Sequence, residues 1–208
     1  MRIFGQLGSL IFTWCVFACA SAQGDDSGQR THRFSEAEQR LWSEDQLASI
    51  SRPTDFIYSF EKSGALEVGF RDEVRFSVER VNEDGTKVVT LVFFTGERNH
   101  PVPSLEKATS NPVLTVYLQG DVYEMNRRTD PQGAARERWR YFQRRIKLAL
   151  SESATVREVT FQFDGRNWNG YEVYFEPYKN DPKRNLFDQL SRKSYTVVVS
   201  QDLPGYLY

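Results

Sequence analysis

Three stretches of this chain carry apolar residues with a period of two, and a turn with one strong solution joins the last pair. They read "FIYSFEK" (56–62), "EVRFSVERV" (73–81) and "KVVTLVFF" (87–94), rich in β-branched and aromatic residues. Period two places alternate side chains on opposite faces of an extended strand, so these segments are expected to be strands. Between the second and third, "NEDGT" (82–86) sets Asp84-Gly85 where a tight hairpin needs positive φ, which makes the pairing antiparallel. In the middle strand Val74, Phe76, Val78 and Val81 form the apolar side, while Glu73, Arg75, Ser77, Glu79 and Arg80 face mainly water.

Helical spacing enters on either side of this block. Ser35-Glu36-Ala37-Glu38 offers an N-cap followed by early acids, with Leu41, Trp42 and Leu47 to line a short helix. Residues 96–112, "GERNHPVPSLEKATSNP", read as a connection, closing on Asn111-Pro112 as a helix start. Over 113–127 Leu114, Leu118, Val122 and Met125 share one face and Val116 and Tyr123 another, so a largely buried helix is expected; the β-branched content leaves a strand as the alternative. "TDPQGA" (129–134) ends that element.

Residues 136–148, "RERWRYFQRRIKL", hold six basic residues among thirteen. On a helix Trp139, Phe142, Ile146, Ala149 and Leu150 fall in one sector. Arg136, Arg140, Arg144 and Lys147 flank one side of it, and Arg138 and Arg145 the other. Tyr141 and Leu148 lie nearly opposite the sector, so this helix should touch protein on two sides rather than lie free on a membrane. "TVREVTFQF" and "YEVYFEPY" then flank "DGRNWNG", with Asp164-Gly165 and Asn169-Gly170 as turn signals. Asp181-Pro182 opens a short helix with Leu186, Phe187 and Leu190 inward, and "SYTVVVSQ" is a last strand before "DLPGYLY". The order predicts an α+β fold: a single curved antiparallel sheet of about six to seven strands, an open half-barrel, with two or three helices packed on one face.

The chain start bounds the compartment. Arg2, an apolar run from Leu7 to Phe17 and the small residues Ala20-Ser21-Ala22 have the pattern of a signal peptide over 1–22 cleaved after Ala22. Residues 23–34 read as a flexible tether and 35–208 as one α+β domain. Cys15 and Cys19 both lie in the leader, so cleavage leaves no thiol; lipidation at Cys19 is the alternative. Removing Arg2 leaves 26 basic against 28 acidic residues, a formal charge of −2. Near-neutrality and export both argue against a nucleic-acid partner. A periplasmic or secreted location follows, and a cysteine-free chain there must rely on its core.

In layout, residues 55–208 resemble the half-barrel carriers and receptors that sort lipoproteins, with a signal peptide in front and a closing strand followed by "LPG". Other proteobacterial envelope proteins are laid out similarly. The resemblance implies a curved sheet whose concave face holds helices and a ligand. Two helices of this length in mid-sheet depart from that pattern.

Chemistry has few handles. With His32 in the tether and His100 in "NHPVP", a zinc site lacks ligands, and no G-x-S-x-G, G-x-G-x-x-G or P-loop sequence occurs. No cofactor and no metal are therefore expected, although paired carboxylates remain available for a hydrolase. Trp168 is either a stacking platform or folded against the sheet end. The candidate binding residues are Arg140, Arg144 and Lys147, a rim for lipid or lipopolysaccharide phosphates or an acidic envelope protein, against the alternative of a rim paired to Glu124, Glu137 and strand acids. The expectation is a non-enzymatic envelope protein, capable of peripheral membrane contact, that binds an amphiphilic or anionic ligand or a partner. An elongated apolar cavity with arginines at its mouth would favour it; a solid core would favour an assembly factor.

Overall fold

The computed structural model describes residues 33–64, 68–130, 132 and 138–208. The expected signal peptide with Cys15 and Cys19, the expected tether up to His32, Arg136 and Glu137 lie outside the described residues. A short helix α1 (Glu36–Glu38), continued by a wider helical turn over Gln39–Ser43, opens the described chain. Its Ser35 is the N-cap of a full capping box with Glu38, and the Ser35 hydroxyl also donates to the Leu150 carbonyl at 2.8 Å. Leu41 and Leu47 are buried as expected, whereas Trp42 is exposed.

Strands β1 (Thr54–Lys62), β2 (Phe70–Val81), β3 (Lys87–Phe93) and β4 (His100–Ala108) form an antiparallel meander in that order. Gly85 sits at φ +82 in the β2–β3 turn, the conformation that turn requires. A bulge between Val78 and Arg80 resets the phase, so Val81 follows Val78 on the inner face after three residues rather than two. Ser77 is buried on the outer face, between its cross-strand partners Asp55 and Thr90.

Strand β4 corrects the reading of 96–112 as a connection. Its partners on β3 advance by three residues for every two: Lys87 faces Ala108, Val89 faces Leu105 and Leu91 faces Val102. Two register shifts thus give the inward residues a period of three, which a search for period two passes over. Pro101 and Pro103 are tolerated because β4 is an edge strand.

Residues 113–127 are helical. Helix α2 (Val113–Thr129) buries Leu114, Leu118, Val122 and Met125, and Asp121 with them. Tyr123, expected inside, is exposed. Helix α3 (Trp139–Glu152) buries Phe142, Ile146, Ala149 and Leu150. It lies antiparallel to α2, since Gln119 meets Gln143 and Tyr123 meets Trp139. Strands β5 (Thr155–Phe163), β6 (Arg166–Phe175) and β7 (Tyr195–Val199) follow, paired in that order and antiparallel.

The architecture is α+β with antiparallel sheets and helices. Hydrogen bonding divides its seven strands into sheets of four and three, where the sequence reading had one continuous curved sheet. Asp164 and Gly165 take the left-handed turn between β5 and β6. Asn169-Gly170 makes no turn: both lie within β6, where a Cβ on Gly170 would stand 2.3 Å from the Val199 carbonyl oxygen. After Asp181 the chain makes two short 3-10 turns; Phe187 is buried, but Leu186 points to solvent.

Two hydrophobic interiors result. One, under β1–β4, is built on Val74, Phe76, Val78, Val89, Leu91 and Phe93. The other packs α1, α2 and α3 on β5–β7 around Phe142, Val173, Phe175 and Tyr178. Helix α2 joins them, with Val113 in the first and Leu114 in the second, and Leu207 packs against both.

Candidate functional site

The meeting line of these two interiors leaves a cleft of about 300 Å³. Tyr58, Ser59 and Phe60 of β1 form one wall, with Val74 and Phe93 behind them. Leu114, Tyr117 and Leu118 of α2 contribute a second side, and Ser194 to Val197, Leu207 and Tyr208 the third. Period two sends Tyr58 and Phe60 to the same face of β1, and the four-residue step from Leu114 to Leu118 sends both to the same face of α2. The volume lies at the lower end of the range for small-ligand sites, and the mixture of hydrocarbon and tyrosine hydroxyls suits a ligand with an apolar body and one polar end.

Three of the four tyrosine hydroxyls around the cleft, those of Tyr58, Tyr195 and Tyr208, are already committed. Tyr58 accepts from the Asn111 amide at 2.8 Å; burial, only partly offset by that bond, pushes its pKa up to about 12. Asn111 is a buried junction: its backbone N–H donates to Gln46, its side-chain amide also donates to the Gly205 carbonyl, and its side-chain oxygen accepts from the Val113 N–H. Tyr195 donates to buried Asp121, which also holds Lys193. Burial, and then the Asp121 charge, drive the Tyr195 pKa far above the usual tyrosine value. Tyr117 is different. Its hydroxyl makes no hydrogen bond among the described residues, and its pKa is raised by burial and by Asp121 and Glu124.

The charges beside Tyr117 are paired. Glu124 receives Lys62 at 3.1 Å and Arg128 at 2.8 Å. Burial pushes its carboxyl upward, but these hydrogen bonds prevail and hold it below the ordinary value. A general acid needs the opposite shift, so Glu124 is poorly suited to be the acid of a carboxylate pair. Among the described residues no three His, Asp or Glu side chains gather as a metal site, and no helix is long and apolar enough to cross a membrane.

The expected anion rim lies elsewhere. Arg140, Arg144 and Lys147 are exposed on α3 and do not line the cleft, so the cleft lacks the arginine mouth expected of it. Arg145, grouped with the opposite rim, turns inward: its Nε lies 2.9 Å from Oδ2 of Asp181, out of line for a hydrogen bond. The Asp181 carboxylate is fully buried and accepts from the Tyr141 hydroxyl at 2.5 Å and from the Lys183 N–H at 2.7 Å. Burial and the bond to Asp181 raise Tyr141 to about 12. Tyr141, far from the main apolar sector of α3, thus packs against protein, as the helix pattern required.

Trp168 is folded against the sheet, donating to the Phe163 carbonyl at 3.0 Å. His100 is exposed at the start of β4. A larger hollow of about 540 Å³ lies over β5 and β6, lined by Glu158, Thr160, Asn169, Tyr171, Gln201 and Asp202. Its Tyr171 ring is covered by Arg40 at 3.7 Å. The cleft is a product of long-range assembly, since its walls come from residues 58 to 208, and no local pattern marks it. No family model, curated protein or solved structure matches the chain.

Proposed function

We propose that this chain is a non-enzymatic envelope protein, periplasmic or secreted, that binds a small amphiphilic molecule in the cleft between α2 and the two sheets. The observation that carries the reading is the cleft itself: about 300 Å³ lined by Phe60, Phe93, Leu114, Leu118 and Leu207, with the unbonded Tyr117 hydroxyl beside it. An apolar body buried there gains roughly 25 cal/mol per Å², and Tyr117 supplies one directional bond for the polar end. The paired state of Asp121 and Glu124 supports binding over catalysis.

Native mass spectrometry of the protein purified from its own envelope tests this. A retained small-molecule mass is expected in the wild type. It should be lost in Thr196→Trp, which places an indole at an exposed position of the cleft wall, with an unchanged melting temperature. A second reading, an assembly factor with no small ligand, is favoured by the cleft's modest size. A wild type that carries no added mass and fails to bind a fluorescent fatty acid would select that reading.

A further inference from the structure

The outer side of the α2–α3 layer carries exposed cations and aromatic rings, and the described acids of the two helices are buried, half-buried or at a helix end. Arg140, Arg144 and Lys147 are exposed on α3. At 100° per residue they fall within about 60° of one another, spread along roughly 10 Å of helix. Arg144 and Lys147 make no ion pair with any described residue. Of the acids expected to pair with this rim, Glu124 is held by Lys62 and Arg128, and Glu137 lies outside the described residues.

The neighbouring surface of α2 continues the pattern. Gly120, Tyr123 and Arg127 are exposed there, and Tyr123 meets the Trp139 ring edge-on at 5.9 Å. Of the acids of α2, Asp121 is buried with Lys193 and Tyr195, Glu124 on the flank of this surface is held by Lys62 and Arg128, and half-buried Asp130 is the C-cap. On α3, Glu152 stands at the C-terminal end, off the cationic stripe. The whole chain has a formal charge of −1, so this is local segregation of charge rather than general basicity.

We propose that this face docks peripherally on an anionic lipid surface, with Arg144 and Lys147 against headgroup phosphates and the exposed Tyr123 ring at the interfacial level. Guanidinium and ammonium groups on one stripe complement a sheet of phosphates, and tyrosine and tryptophan favour the membrane–water boundary. Insertion is shallow, because the apolar faces of α2 and α3 are already used inside the protein: Leu118, Met125, Phe142 and Ile146 are buried. Binding is therefore mainly electrostatic and weakens with salt. It is independent of the cleft and its ligand.

Vesicle co-sedimentation of the full chain tests the proposal, comparing a phosphatidylglycerol–phosphatidylcholine mixture with phosphatidylcholine alone. The apolar N-terminal residues are common to every variant, so differences between variants report on the mutated surface. At low salt each cation contributes about fivefold, so Arg144→Gln with Lys147→Gln should lower partition onto anionic vesicles about twentyfold, with unchanged melting. Arg71→Gln with Arg75→Gln, the same charge change on exposed β2 residues, should leave partition within about twofold. Equal binding to neutral vesicles, equal loss in both double variants, or no loss in the α3 variant overturns the proposal. So does wild type that ignores vesicles yet binds a soluble polyanion such as single-stranded DNA.

Discussion

Under β1–β4 the inward side chains are Val74, Phe76, Val78, Val89, Leu91 and Phe93, and no buried carboxylate belongs to that interior among the described residues. Under β5–β7 two aspartates are buried with the hydrocarbon: Asp121 with Lys193 and Tyr195, and Asp181 with Arg145 and Tyr141. The first interior excludes water from a sheet face mainly by volume and alternation, with a buried charge, the Lys87 ammonium, donating to the Gly85 carbonyl. The second must satisfy charges wherever it closes, because a buried carboxylate without partners is expensive. Packing therefore specifies most of one half, while the other is pinned by buried carboxylates whose lost bonds leave a charge behind.

This contrast can be broken in graded steps. Phe76→Ala, in the hydrocarbon half, should cost about 3–5 kcal/mol by denaturant unfolding, with little dependence on salt. In the other half, Asp181→Leu should cost about 3 kcal/mol, because it strands the Arg145 guanidinium and the Tyr141 hydroxyl. Adding Arg145→Met to it should recover most of that loss; if the double variant is no better than the single, the pair does not organise this half. Asn111→Ala, at the junction of both halves, should cost about 2 kcal/mol and lower a single shared transition. Two separated transitions in that variant would mean that the halves are stable independently.

The smallest effect is a titration. Tyr58 in one half and Tyr141 in the other are both raised to about 12, mainly by burial. A raised folded-state pKa favours the neutral form, so this stabilisation is complete below the ordinary tyrosine value near 10 and is lost as pH rises through about 12. Tyrosinate absorbance should show late-titrating groups, one fewer in Tyr58→Phe and one fewer in Tyr141→Phe. Glu124 has the opposite sign: held low by Arg128 and Lys62 against burial, it stabilises at neutral pH, and that contribution fades on acidification.

What the sequence made legible follows from the same physics. β1, β3, α2 and α3 were readable because their apolar residues keep one period each, and β2 because its bulge leaves period two intact over Val74, Phe76 and Val78. β4 was not, since two register shifts stretch its inward spacing to three, and Pro101 and Pro103 read as loop. The buried roles of Asp121 and Asp181 were hidden because their partners Lys193, Tyr195, Tyr141 and Arg145 lie 36 to 74 residues away, and spacing encodes only near neighbours. Arg140, Arg144 and Lys147 emerged as one exposed stripe because helical geometry alone dictates it. The cleft, assembled from both halves, left no trace in any single segment.

The junction at Asn111 has a kinetic consequence. Its bonds to Tyr58, Gln46 and Gly205 span 53, 65 and 94 residues of chain. Each closes a long loop, whose entropy must be overcome before the bond returns anything, so these contacts belong late in the folding reaction. A contact made after the rate-limiting step protects against unfolding without hastening folding. Asn111 accordingly acts as a latch on the lifetime of the folded protein, and its replacement should shorten that lifetime while the refolding rate stays nearly the same.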